Sequence, residues 1–279
     1  MIERRQHVPW KAAGTASESE HSGDDVVRET GWVFNNVTGD QLNLAEFVRT
    51  GDHETLAYLQ AFGVLPSPPP VSPEPLTLVE IGSGIGRMTA SFTRLYQKVV
   101  ACDLDAAFLE RCRQTVAQFG HAGGLQTCHV ADGRSLALPN DSADVVFSYI
   151  TLQHCHHADA LALTREAVRL TKPGGLVLLN YRTWVGKDAV LWPAGKVVRA
   201  TFRIPRLGPV IAQMRTPARI GWQANRLSPS EVMKDIGDSL TDVQIYRSPA
   251  RRAFDIEHTT DATFDGIDPS HWWLVARTR

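Results

Sequence analysis

The run Val79-Glu80-Ile81-Gly82-Ser83-Gly84-Ile85-Gly86-Arg87-Met88-Thr89 decides the fold. Apolar residues from Leu76 make a short buried strand, three alternating glycines follow, and a helix-forming stretch comes next. Glycine lets the backbone turn sharply and approach a ligand, and the helix behind such a turn presents unpaired N–H groups. Strand, glycine turn and helix in that order mark a nucleotide-derived cofactor far better than glycines alone. The dinucleotide fingerprint G-x-G-x-x-G would place its third glycine where Arg87 stands. The G-x-G-x-G found here gives less reason to expect a pyrophosphate and more to expect a smaller ligand. Asp103 follows at the tip of the next strand, where a carboxylate can accept both ribose hydroxyl hydrogens.

Outward from this run, short apolar strands alternate with helices. Strands are predicted at 76–81, 99–102, 127–130, 145–149 and 176–180, with helices at 87–95, 105–119 and 158–170. Near-continuous apolar strands separated by helices define an α/β fold whose mostly parallel sheet is covered on both faces. Ser228-Pro229 with Glu231 reads as a capping box opening another helix, and 243–246 and 272–276 as a last pair of strands. The sheet is thus expected to have about seven strands, with an insertion at 182–226 just after strand five. This domain spans 75–279. Residues 1–74 hold a polar arm, then apolar positions at helical spacing from Leu44 to Phe62, then the stiff connector Pro66 to Pro75. Gly51 and Asp52 are expected to divide the helical part in two, with Asp52 as N-cap.

The chain has 279 residues, 43% of them apolar, enough for one sizeable core. Its 29 basic residues balance 30 acidic ones, so no global charge draws it to nucleic acid or an anionic membrane; small basic patches such as Arg199 to Arg206 remain. Four scattered cysteines without a C-x-x-C pair read as reduced thiols. Without an apolar leader at Met1 or a long uncharged run, a soluble cytoplasmic protein is expected.

Taken together, Val79 to Thr89, Asp103, Ala131-Asp132-Gly133, the segment from Asp144 to His154 and Leu170-T-K-P-G-G-L-V-L-L-N resemble the class I S-adenosylmethionine-dependent methyltransferases. The resemblance covers about 75–181 and implies a three-layer Rossmann-like fold with S-adenosyl-L-methionine as cofactor. It implies that Glu80, Gly82, Gly84 and Gly86 lie near the methionine part, that Asp103 holds the ribose, and that Asp132 faces the adenine amino group beside Gly133. Ser148 would lie along the methionyl portion. Arg87 either helps a cofactor carboxylate or points to solvent, since a cation in a first helical turn opposes the dipole.

Methyl transfer from a sulfonium is an in-line displacement, so the protein supplies alignment and a dry pocket. A hydroxyl acceptor also needs a base. His154, beyond strand four, is the preferred base, since an imidazole suits that task at neutral pH; by the resemblance, the same position frequently holds a structural histidine packed under the cofactor. His156 and His157 follow, but H-x-H-H is not a strong metal motif, and a magnesium site built on aspartates stays open. Tyr181 and Arg182 should project to the acceptor side, Arg182 binding an anionic group or anchoring the insertion. Tyr149 should face the other way and pack. Trp184, Trp192 and Trp222 offer flat apolar area to a sugar ring or secondary metabolite, or simply pack. S-Y-I-T stands where many base and protein-amide methyltransferases carry an N-P-P-Y-like sequence, so a small-molecule acceptor is expected, with no nucleic acid and no membrane. Hydroxyl methylation leads; amine methylation and a non-catalytic cofactor-binding or assembly protein are the alternatives. The N-terminal arm reads as a lid or as a homodimer interface.

Overall fold

The computed structural model describes residues 22–34, 42–222 and 225–279. Among the described residues eight strands form one sheet: β1 (Glu74–Ile81), β2 (Tyr96–Asp103), β3 (Leu125–His129), β4 (Ala143–Ser148), β5 (Thr171–Arg182), β6 (Leu240–Arg247), β7 (Thr260–Thr263) and β8 (His271–Thr278). Their order is β3-β2-β1-β4-β5-β8-β6-β7. The first five are parallel, and β8 runs antiparallel between β5 and β6. The eighth strand, β7, pairs parallel with β6 at the edge. Its sequence Thr-Asp-Ala-Thr has no apolar alternation to announce it.

Ahead of the sheet lie α1 (Gly23–Phe34) and α2 (Leu44–Ala61); α3 (Thr89–Leu95), α4 (Ala106–Phe119) and α5 (His157–Leu170) alternate with the strands. Alternation along each strand divides the core cleanly. Val79, Ile81, Val146, Val177, Leu179, Trp272 and Leu274 face α5 and α9 (Pro229–Ile236). Leu78, Val145, Phe147, Leu178, Trp273 and Val275 face α2 and α3, meeting Tyr58, Leu59, Phe62, Phe92 and Leu95. The adjacent Trp272 and Trp273 therefore fill opposite layers, each fully buried.

α2 is one continuous helix, not two. Asn43, rather than Asp52, caps it, with Glu46 completing a capping box. Gly51 sits inside the helix because a Cβ there would lie 2.3 Å from the Arg87 carbonyl oxygen. It admits a close approach and does not end the helix. Asp52 instead pairs with Arg94 on α3. That helix starts at Thr89, two residues later than expected, because Gly86 and Arg87 belong to the turn. The capping box of α9 forms as expected, Ser228 accepting from the Glu231 N–H.

Between β5 and α9 the insertion folds into α6 (Asp188–Thr201), α7 (Leu207–Gln213) and α8 (Arg215–Trp222). α8 packs against both α6 and α7.

Candidate cofactor and acceptor site

β1 and β4 are neighbours, and the chain leaves them toward opposite edges of the sheet. The crevice beyond their carboxyl ends is where open α/β sheets hold ligands. Gly82 enters it at φ +83°, and a Cβ there would lie 2.0 Å from Thr151 Oγ1. The turn thus needs glycine twice over, for its dihedral and for the space. Thr151, after β4, is the opposing wall; its hydroxyl donates to the Tyr149 carbonyl at 3.1 Å.

The loop is bound to β2. The Gly82 and Ser83 N–H groups donate to the Cys102 carbonyl at 2.7 and 3.1 Å. Gly84 N–H donates to Asp103 Oδ2 at 2.8 Å, and Asp105 N–H to Asp103 Oδ1 at 2.9 Å. Burial raises the Asp103 carboxyl to about 6, against the pull of those N–H donors. Beneath the loop Glu80 is buried and accepts from Thr89 Oγ1 at 2.6 Å. Burial pushes it to about 7, more than the Thr89 bond and Arg87 offset, and Asp103 adds to the rise. Two carboxyls with raised pKa under one loop favour a cation in the crevice, since a positive charge would stabilise both ionised forms.

Arg87 does not point to solvent. Its Nη2 meets Glu54 Oε2 at 2.7 Å and its Nη1 donates to Thr50 Oγ1 at 3.2 Å, both on α2, with the Phe47 ring 5.7 Å away. The guanidinium is committed to the helix, so a cofactor carboxylate would have to compete with Glu54. Ser148 is fully buried and donates to the Ile81 carbonyl at 3.0 Å, tying the end of β4 to the end of β1. Asp132 lies in the turn after β3, made possible by Gly133 at φ +67°. It accepts from the Arg134 and Ser135 N–H groups, both at 2.9 Å, and from the Ser135 hydroxyl. Slight burial works upward, but these bonds prevail and hold the carboxyl below its ordinary value.

Past β4, His154 closes a 3-10 turn over Leu152–His154 and is half-buried. Its Nε2 lies 3.3 Å from Gln153 Nε2. The far end of the insertion binds this turn: Asn225 N–H donates to the Gln153 carbonyl at 3.1 Å and Asn225 Nδ2 to the Leu152 carbonyl at 3.4 Å. His156 stands at the N-cap position of α5 without a side-chain capping bond and His157 opens the helix, both exposed. Among the described residues no three His, Cys, Asp or Glu gather as a metal site.

Two residues expected on the acceptor side are elsewhere. Tyr181 is buried on the α5 face, stacked on Trp272 with ring centroids 4.6 Å apart, its hydroxyl 2.9 Å from Thr164 Oγ1. Strand alternation sends it into the core. Arg182 meets Asp188 at 3.1 Å and Ser270 Oγ at 2.9 Å, and Arg226 reaches the same Asp188 oxygen at 2.8 Å. This buried cluster pins both ends of the insertion to β5, so Arg182 anchors rather than presents its charge. Trp184 and Trp192 do meet, at 5.8 Å, with Lys196 Nζ 3.3 Å above the Trp192 ring. Trp184 remains 48% exposed. The side chain of Trp222 lies outside the described residues.

Sequence reasoning missed a hydroxyl pair. Tyr149, three residues after β4's Val146, meets Tyr58 of α2 with hydroxyls 3.1 Å apart, and Tyr58 Oη also reaches the Gly266 carbonyl at 3.3 Å. The Tyr149 ring lies flat against Trp273. Burial pushes Tyr58 to about 12 and raises Tyr149 as well. Both phenols therefore stay protonated near neutrality and serve as hydrogen-bonding groups, not bases.

The sheet order, the glycine turn between β1 and α3 and the carboxylate at the tip of β2 define a nucleotide-binding α/β fold of the methyltransferase type. Residues 79–179 match the family model described as "Methyltransferase domain", and over that stretch the chain is similar to S-adenosyl-L-methionine-dependent methyltransferases. A carboxy-S-adenosyl-L-methionine synthase of Pseudomonas putida is 34% identical over 116 residues, 40% of this chain and 47% of that protein. A malonyl-[acyl-carrier protein] O-methyltransferase of Halorhodospira halophila is 34% identical over 111 residues, 39% of this chain and 36% of that protein. The chain thus spans less than half the length of these curated relatives. Over 93% of the chain the fold follows 95% of a candidate S-adenosyl-L-methionine-dependent methyltransferase from Methanococcus maripaludis, at TM-score 0.51 and 13% identity.

Proposed function

We propose that the chain is an enzyme that transfers a methyl group from S-adenosyl-L-methionine to a hydroxyl of a small molecule, with His154 as general base. The observation that carries this reading is the position of the His154 turn. It follows Thr151, which walls the glycine loop, and is held from the other side by Asn225 at the end of the insertion. An imidazole on that turn would stand between the cofactor loop and the insertion that would wall the acceptor.

The fit to the cofactor rests on residues already described. Gly82, at φ +83°, carries no side chain and lets the turn run close beside Thr151, and Asp103 offers a carboxylate at the tip of β2. When bound, the cofactor supplies an electrophilic methyl carbon on a sulfonium. Glu80 and Asp103 would ionise beside that cation and hold it, Asp103 exchanging its Gly84 bond for ribose hydroxyls and Asp132 exchanging turn bonds for the adenine amino group. His154 would take the acceptor's proton on a ring nitrogen as the oxygen attacks. Tyr149 and Tyr58 would orient the acceptor through hydrogen bonds, and Trp184 with Trp192 would cover an apolar ring. The O-methyltransferase among the relatives is consistent with oxygen chemistry; its match covers 39% of this chain.

The test is labelled methyl transfer onto a panel of hydroxyl and amine metabolites, followed by His154→Ala and His154→Gln. Loss of at least about 100-fold in kcat with S-adenosylhomocysteine affinity unchanged supports the base. Unchanged turnover with a hydroxyl acceptor eliminates it, and failure to bind S-adenosylhomocysteine eliminates the enzyme reading.

A further inference from the structure

The insertion is chemically unlike the rest of the chain. Residues 182–226 carry nine lysines and arginines against one acid, Asp188, whereas the remainder carries 20 against 29. Asp188 is itself buried between Arg182 and Arg226, so it offers no negative charge at the surface. The exposed apolar side chains gather in the same segment. Apart from Val71, every large hydrophobic that stands more than a third exposed among the described residues belongs to it.

These residues are patterned. On α6 the buried Gly195 faces α8, where a Cβ would meet the Ile220 carbonyl at 2.8 Å, and Asp188, seven residues earlier, is buried in the arginine cluster. The opposite side of α6 exposes Val190 and Val197, seven residues apart, at 72% and 65%. On α7, Leu207 and Val210 continue to Met214 at helical spacing, all at least half exposed. Between the helices Ile204 stands out beside the exposed Arg203 and Arg206. Exposed apolar stripes on short helices, interleaved with cations, are the composition of segments that lie in a membrane interface.

We propose that the insertion docks the protein on an anionic lipid surface, with Val190, Val197, Leu207 and Val210 entering the acyl boundary and Arg203 and Arg206 meeting headgroup phosphates. Charge complementarity sets the sign of the surface, since the segment is strongly positive on a chain whose total is −1. The apolar residues distinguish lipid from nucleic acid, because valine and leucine bring nothing to a phosphate backbone. No described helix is long and apolar enough to cross a membrane, so the contact is one of lying on the surface. The proposal rests on the insertion's own surface and is independent of which acceptor is methylated.

The experiment is cosedimentation of the full chain with vesicles of phosphatidylcholine alone and of phosphatidylcholine with about one third phosphatidylglycerol. Binding to the second and not the first is expected, weakening with salt. Val197→Asp with Val210→Asp, and separately Arg203→Glu with Arg206→Glu, should each reduce binding by about tenfold or more, with melting and S-adenosylhomocysteine titration unchanged to show an intact fold. Absence of binding to anionic vesicles overturns the proposal. So does retention by polyuridylate at the expense of vesicles, or concentration-dependent self-association through the same residues without lipid binding.

Discussion

Glu80 should make this protein lose stability as pH rises through neutrality, and Glu80→Gln should remove that loss. The carboxyl is buried beneath the glycine loop and raised from 4.5 to about 7. A group whose folded pKa exceeds its unfolded value contributes stability fully present below the unfolded value and lost as pH climbs through the folded one. At about 1.4 kcal/mol per tenfold, the window from 4.5 to about 7 is worth about 3 kcal/mol. Glutamine keeps an acceptor for the Thr89 hydroxyl and has no charge to bury. Urea unfolding of both proteins without cofactor at pH 4.5 and at pH 8 measures it. Relative to wild type, the variant should gain about 3 kcal/mol between the two conditions, equivalent to about 6–12 °C in Tm. Asp103, raised to about 6 by burial, leaves some pH dependence in both proteins, so the difference between them isolates Glu80. Parallel profiles would refute the reasoning and mean that the Glu80 carboxylate is solvated.

Other perturbations test the remaining geometry. Gly82→Ala combines a left-handed dihedral with the Thr151 clash and should weaken S-adenosylhomocysteine binding at least about tenfold; adding Thr151→Gly should recover part of it, and calorimetry on the two variants reads both effects. Asp188→Asn leaves Arg182 and Arg226 buried with a neutral partner and should cost about 3 kcal/mol by chemical denaturation. Tyr149→Phe should raise the acceptor's KM several-fold with cofactor affinity intact, and an unshifted pH profile would show that no base was lost.

The parts of the site that were legible in the sequence are those written within one strand–turn–helix unit. Val79 to Thr89 and Asp103 each signal locally, because alternation and glycine chemistry act over a few residues. Gly51 misled for the same reason: local propensity treats glycine as a break, while its reason, the Arg87 carbonyl, lies 36 positions on. The Tyr58–Tyr149 pair joins residues 91 apart and leaves no local trace. Tyr181 was open to correction, since Leu179 and Tyr181 share a face and Leu179 is plainly core. Arg182 needed Asp188 and Arg226 together, a cluster that only the folded insertion assembles.

Gly51 also bears on where this protein can be cut. The proline-rich stretch at 66–75 is a seam in composition, but α2, on the far side of it, is pressed against the glycine turn closely enough to exclude a methyl group. It also places Leu59 and Phe62 in one layer with Phe147 and Trp273. A fragment beginning at residue 75 would bare that aromatic layer and leave Arg87 without Glu54. The smallest unit able to hold the loop in its described shape includes the helix before the seam, and any transplant of this cofactor site has to take α2 with it.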